Sequence, residues 1–170
     1  MINENYHGEI YHFTSLIQAS WICDDDCLGA RITSSEFSEY EKQVPTISFT
    51  RDKNYNIQGG GNNTVVRFVF DGDTIQNIRN ARLRPFAYNN GKGEAEERLY
   101  NIDIDPLHKY LNRIEIDVVY DEYSWASDRN FDEEGELYEE FMERYPDLDD
   151  DELNRKITDY LINKISKNNL

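Results

Sequence analysis

Three well-separated stretches carry residue types that suit one kind of chemistry: Tyr11-His12-Phe13-Thr14-Ser15, Thr46-Ile47-Ser48-Phe49-Thr50-Arg51 and Gly93-Glu94-Ala95-Glu96-Glu97-Arg98-Leu99. Breaking an N-glycosidic bond builds oxocarbenium-like positive charge on a ribose, which a carboxylate beside the sugar stabilises, and Glu96 is the natural candidate. The base and the sugar need orienting hydrogen bonds, and a strand-end histidine with a nearby hydroxyl, His12 and Thr14, can supply them. A pyrophosphate needs positive charge, which an arginine leaving a strand, Arg51, can present as a two-pronged donor. Together these groups would suit NAD, with the nicotinamide–ribose bond as the one broken. Each residue also has a plainer explanation. His12 fits a structural histidine within a strand, Arg51 a surface ion pair with Asp52, and Glu96 a solvated helical turn in which Glu94 and Arg98 pair four residues apart.

The order of the pieces, a strand with His-x-Thr leading into a helix, a strand ending in Arg, then Ala-Glu before a strand, resembles the ADP-ribosyltransferase superfamily. Within it, the chain is similar to DarT-type DNA ADP-ribosyltransferases and to phage proteins with the order YHFT, SFTRD, EAEER. The likeness spans residues 8–120 by motif order. It implies an NAD-binding body in which His12 holds the NAD ribose, Thr14 contacts nicotinamide, Arg51 binds the cofactor phosphates or ribose, and Glu96 polarises the ribose 2′-hydroxyl. Glu94-Ala95-Glu96 also resembles the Glu-x-Glu of the Arg-Ser-Glu subgroup, which gives Ser48 the place of that subgroup's strand serine. NAD would then be a substrate, ADP-ribose would pass to a macromolecular acceptor, and the setting would be the cytoplasm of a bacterium or a phage-infected host cell. The chain departs from the DarT pattern after Arg51, where Gly59-Gly60-Gly61-Asn62-Asn63 replaces an aromatic-rich loop.

Positioning these residues requires several short elements. Residues 8–13 read as a first strand, and 15–22 as a helix with Ser15 as its N-cap. Further strands are expected at 45–50, 64–70, within 81–86, at 98–102 and at 114–120. The triple glycine at 59–61 is the strongest turn signal, residues 73–78 read as one helical turn capped by an aspartate, and 88–94 as a loop. Residues 105–113 read as a compact helix with Asp105 as N-cap and Pro106 in the first position. Beyond residue 120 the pattern changes to two helices. The first carries a stripe of Leu137, Phe141, Met142 and Tyr145 and stops at Pro146. The second opens on an Asp149/Glu152 capping box and carries Leu153, Ile157, Tyr160, Leu161 and Ile165. The expected class is α+β: an ADP-ribosyltransferase-like split β-sheet body of five or six short strands with small helices over 1–120, and an acidic two-helix appendage over 121–170 packed on the same domain.

The chain has 170 residues and a net charge of −16. Residues 121–152 hold fifteen acidic side chains against Arg129 and Arg144, so most of the charge sits in one segment. Such a surface repels phosphate backbones, which makes a protein acceptor more suitable than nucleic acid. It also supports a rival of another class, a non-enzymatic inhibitor or adaptor, of a kind a virus could encode, that covers a basic protein surface with its acidic face. Cys23 and Cys27 lie in CDDDC, which lacks a second Cys/His pair to complete a tetrahedral metal site, so reduced thiols and no metal are expected. The N-terminus carries neither a basic nor an apolar leader pattern, and the longest apolar runs are too short to span a bilayer, so a cytoplasmic location without membrane attachment is expected.

Overall fold

The computed structural model describes residues 8–32, 44–53, 63–79, 81, 83–85, 96–119 and 131–167, and among them the chain is α+β. Strands β1 (Glu9–Ser15), β2 (Thr46–Thr50), β3 (Asn63–Asp71), β4 (Leu83–Pro85), β5 (Glu96–Tyr100) and β6 (Leu111–Val119) take the order β4-β5-β2-β1-β3-β6. The pairs β1/β2, β2/β5 and β4/β5 are antiparallel. The expected glycine-rich turn at 59–62 and loop at 88–94, like the acidic run 121–130, lie outside the described residues. No helix among the described residues is long and apolar enough to cross a membrane.

Contacts divide the chain into two compact units. The first comprises Met1–His12, Cys27–Tyr55 and Phe68–Arg113. Its core gathers Ile10, Ile47, Phe49, Phe68, Phe70, Ile75, Leu99, Ile104 and Leu107, all nearly inaccessible to water. Phe49 and Phe70 meet edge to face with centroids 5.7 Å apart, the geometry that aromatic quadrupoles favour. A short helix α2 (Gly72–Gln76) follows β3 because the Asp71 carboxylate accepts from the Thr74 N–H at 2.7 Å. The compact helix expected over 105–113 does not form. Only one 3₁₀ turn, Leu107–Lys109, follows Pro106, Asp105 supplies no cap, and β6 already begins at Leu111. Strand pairing thus claims residues whose local pattern suits a helix, a case of sheet context overriding propensity.

The second unit comprises Phe13–Asp26, Asn56–Arg67 and Ile114–Leu170. Helix α1 (Leu16–Asp25) is capped by the Ser15 hydroxyl, which accepts from the Gln18 N–H, and it ends at Asp26 in the left-handed region with φ 49°. Helix α3 (Phe131–Arg144) stops before Pro146. Helix α4 (Asp150–Lys167) opens on the reciprocal pair expected of a capping box. The Glu152 N–H donates to the Asp149 carboxylate at 2.8 Å, and the Asp149 N–H donates back to Glu152 at 3.4 Å. Leu153, Ile157, Leu161 and Ile165 recur at helical spacing and are buried, each worth about 1.5–3 kcal/mol relative to exposure. Helices α1, α3 and α4 pack on one another, and Lys164 on α4 pairs with Asp24 on α1 at 2.5 Å. Burial alone would lower the Lys164 pKa, but hydrogen bonds to Asp24 and Tyr160 outweigh it and raise the value. On α3 the expected stripe is narrower than its sequence suggests, since Phe141 is buried whereas Met142 is half exposed.

Candidate functional site

The described residues of the three stretches singled out in the sequence fall on or next to neighbouring strands, because the order β5-β2-β1 places those strands side by side. Tyr11 on β1 pairs with Thr50 on β2, and Thr50 pairs with Glu96 on β5, so Tyr11, Thr50 and Glu96 form one row across three strands. Ser48 stands opposite Arg98 and Phe49 opposite Glu97. Directly opposed residues share a side of a sheet and successive residues alternate. One side of these strands therefore carries Tyr11, Ser48, Thr50 and Arg98 in the rows at and next to Glu96. The other carries His12, Phe49 and Glu97.

On the Phe49 side, His12 is half-buried, its ring set edge-on to Phe49 with centroids 6.0 Å apart. Its Nδ1–H faces the Ser48 carbonyl oxygen at 2.9 Å, which leaves Nε2 as the lone-pair nitrogen of the neutral ring. Loss of water around the ring lowers the His12 pKa, a shift the Ser48 carbonyl opposes and the charge of Arg31 reinforces. Arg51 grips Glu97 through two nitrogens, Nε to Oε1 at 2.5 Å and Nη2 to Oε2 at 3.4 Å. The carboxylate is buried while the guanidinium keeps a quarter of its surface in water. The sequence reading gives Arg51 to a cofactor phosphate or to Asp52; the structure gives it an acidic partner 46 residues away.

On the Thr50 side, Tyr11, Thr46, Thr50 and Arg98 are all buried although none is wholly apolar. The Thr50 hydroxyl accepts from the Asp52 N–H at 3.1 Å, and the Tyr11 hydroxyl donates to Glu9 at 3.0 Å. Glu9 is held by Arg113 as well, and that hydrogen bond does most to lower its pKa to about 2. Ser48 is half-buried with its backbone carbonyl committed to His12. Thr14 belongs to the second unit, where its Oγ1 donates to the Gln18 side chain at 3.0 Å.

The structure therefore brings Ser48 and the Glu96 position to one side of neighbouring strands, and His12 and Arg51 to the other. Three residues of these rows stand inside the sequence motifs but receive no site role there. Glu97 is the partner of Arg51, while Tyr11 and Arg98 share the side of Thr50 and Ser48. The signal was present in the adjacent pair Glu96-Glu97, since two neighbouring residues on a strand must take opposite sides. Cys23 lies in the last turn of α1 and Cys27 two residues beyond its end, and neither is in a disulfide. Cys23 is buried, and desolvation together with nearby Asp24 pushes its pKa up to about 12.

Hydroxyl groups beside a buried guanidinium have the chemistry to hold a polar, anionic ligand. Comparison of the chain with protein-family profiles, curated proteins and solved structures returns no match.

Proposed function

We propose that this protein binds NAD and transfers ADP-ribose to a macromolecular acceptor, with Glu96 polarising the ribose 2′-hydroxyl. The observation that supports this reading is the Tyr11–Thr50–Glu96 row, which gathers three chain segments far apart in sequence at adjacent positions. In this reading the ligand lies on the Thr50 side. Ser48 and Thr50 offer hydroxyl groups, and Arg98 supplies the positive charge for a phosphate, the task that the sequence pattern suggests for Arg51. His12 and the Arg51–Glu97 pair then act as positioning residues: the first fastens β1 to β2, the second fastens the end of β2 to β5. Glu96 acts at the bond-breaking step, because a carboxylate near the anomeric carbon stabilises the charge that develops as nicotinamide departs.

The test is incubation of the full chain with labelled NAD and a cell lysate, beside Glu96→Gln and Glu97→Gln variants whose folding is verified by circular dichroism. Transfer or NAD hydrolysis by the native chain, abolished by Glu96→Gln and retained by Glu97→Gln, is the expected outcome. Absence of transfer, of hydrolysis and of any NAD-induced rise in melting temperature in the native chain removes the proposal.

A second reading draws on a separate observation: Glu139, Glu140, Glu143, Asp147 and Asp149 through Glu152 are exposed on and between α3 and α4. An acidic face of this kind suits a basic protein partner, without catalysis. Capture of such a partner that weakens steeply with salt and survives Glu96→Gln would favour it over the enzyme.

A further inference from the structure

The second unit contains a groove of about 330 Å³ between α3 and α4, lined by Leu137, Phe141, Tyr145 and Tyr160 together with Glu140, Arg144, Lys156 and Asp159. Its floor is aromatic. Phe141 stacks on Tyr145 at 6.3 Å and meets Tyr160 edge-on at 5.2 Å. Arg144 and Lys156, from the two different helices, converge on the Tyr145 ring, with their charged ends 5.7 and 5.6 Å from its centroid. A cation at that distance is attracted by the ring quadrupole, so both charges are held at the groove.

The four charged residues are arranged in a way helix geometry does not require. Glu140 precedes Arg144 by four positions and Asp159 follows Lys156 by three, both spacings at which opposite charges commonly pair. Among the described residues, none of the four forms an ion pair within 4.0 Å. The groove is thus lined by two cations and two carboxylates together with three aromatic rings.

We propose that this groove binds a free α-amino acid with an aromatic side chain. The carboxylate of such a ligand is placed by Arg144 and Lys156, its ammonium by Glu140 and Asp159, and its ring by Phe141, Tyr145 and Tyr160. Three features select this class. The volume lies near the lower end of the ~300–1,000 Å³ typical of small-molecule sites, which suits a ligand well below the size of a dinucleotide. The charges lining the groove cancel, so a ligand with one charge of each sign leaves none unmatched. A zwitterion also carries no net charge, so the long-range field of a chain with net charge −16 neither steers it away nor holds it. A simple anion meets repulsion from that field, and a simple cation meets Arg144 and Lys156. This proposal is independent of the NAD reading, since every residue in it lies on α3, α4 or the turn that follows α3.

The experiment is calorimetric titration of the full chain with L-phenylalanine, 3-phenylpropanoate, which lacks the ammonium, and 2-phenylethylamine, which lacks the carboxylate. L-phenylalanine is expected to bind, and each analogue to bind at least tenfold more weakly. Lys156→Glu and Asp159→Lys alter exposed side chains and should leave the fold intact. Each is expected to weaken L-phenylalanine binding at least tenfold, with Lys156→Glu losing the advantage over 2-phenylethylamine. No binding of L-phenylalanine at millimolar concentration, equal binding of the three compounds, or undiminished binding by both variants would overturn the proposal.

Discussion

Removing Arg51 and removing Glu97 should not cost the same, although they are two ends of one ion pair. Arg51→Ala leaves a carboxylate that is 7% exposed without the guanidinium that holds it, whereas the guanidinium is 27% exposed. Breaking a fully buried pair costs roughly 3–5 kcal/mol, and the open arginine end lets water reach the site, so about 2–3 kcal/mol is expected for Arg51→Ala. In Glu97→Gln the guanidinium still has an amide oxygen to donate to and can turn outward, so the loss should be nearer ~1 kcal/mol. Replacing both, Arg51→Met with Glu97→Leu, removes the burial penalty along with the attraction and should fall within ~1 kcal/mol of the native chain. Urea unfolding of these proteins and of the Arg51→Ala/Glu97→Gln double variant at pH 7 measures each term, and the cycle of the native chain, Arg51→Ala, Glu97→Gln and that double variant gives the coupling. An Arg51→Ala cost under ~0.5 kcal/mol, or costs that simply add, would refute the claim that this pair fastens β2 to β5.

Two further outcomes follow from the charged and thiol groups. Glu9 has a pKa lowered from 4.5 to about 2 by Arg113 and Tyr11, so its contribution is complete above pH 4.5 and is lost as pH falls through 2. Because the Glu9 side chain is 40% exposed, that contribution is held to about 1 kcal/mol, or roughly 2–4 °C in melting temperature. Glu9→Gln should therefore melt lower than the native chain at pH 6 and converge with it near pH 2, and a constant gap across that range would contradict the assignment. With its pKa raised to about 12, Cys23 has a thiolate fraction of only about 10⁻⁴ at pH 8. A disulfide reagent should modify the half-buried Cys27 first and Cys23 only after denaturant is added; equal rates would show that α1 opens readily.

Much of the local structure was legible because short-range chemistry decides it. Ser15 caps α1, Asp71 caps α2 and the Asp149/Glu152 box opens α4, each through a hydrogen bond spanning three residues. The α4 stripe was equally plain, as Leu153, Ile157, Leu161 and Ile165 leave the helix only one face to bury. What was not legible depends on distant partners. Residues 105–113 have a sound helical pattern, yet Leu111, Asn112 and Arg113 join β6, and nothing local announces that a strand is waiting to pair with them. The grouping of α3 and α4 with α1 was hidden for the same reason, since the Lys164–Asp24 pair spans 140 residues.

The candidate site shows where motif reading stops and register begins. The motifs fall on β1, β2 and β5, although β5 begins at Glu96 itself rather than at the expected residue 98, and motif order says nothing about which side of a strand a residue occupies. A shift of one position exchanges the two sides completely. His12, Arg51 and Glu96 look like one constellation when written as a string. Once Tyr11 is opposite Thr50 and Phe49 opposite Glu97, Arg51 meets an acid on β5, Glu97, and His12 spends its Nδ1–H on the Ser48 carbonyl. Two neighbouring glutamates on β5 thereby fall in different settings: Glu97 ties strands together on one side through Arg51, while Glu96 takes its register opposite Thr50, in the row that also holds Tyr11. On the proposed function, Glu96→Gln should abolish turnover and leave the stability of the sheet unchanged, whereas Glu97→Gln should keep turnover and lower stability by ~1 kcal/mol, so the two variants separate catalysis from strand fastening.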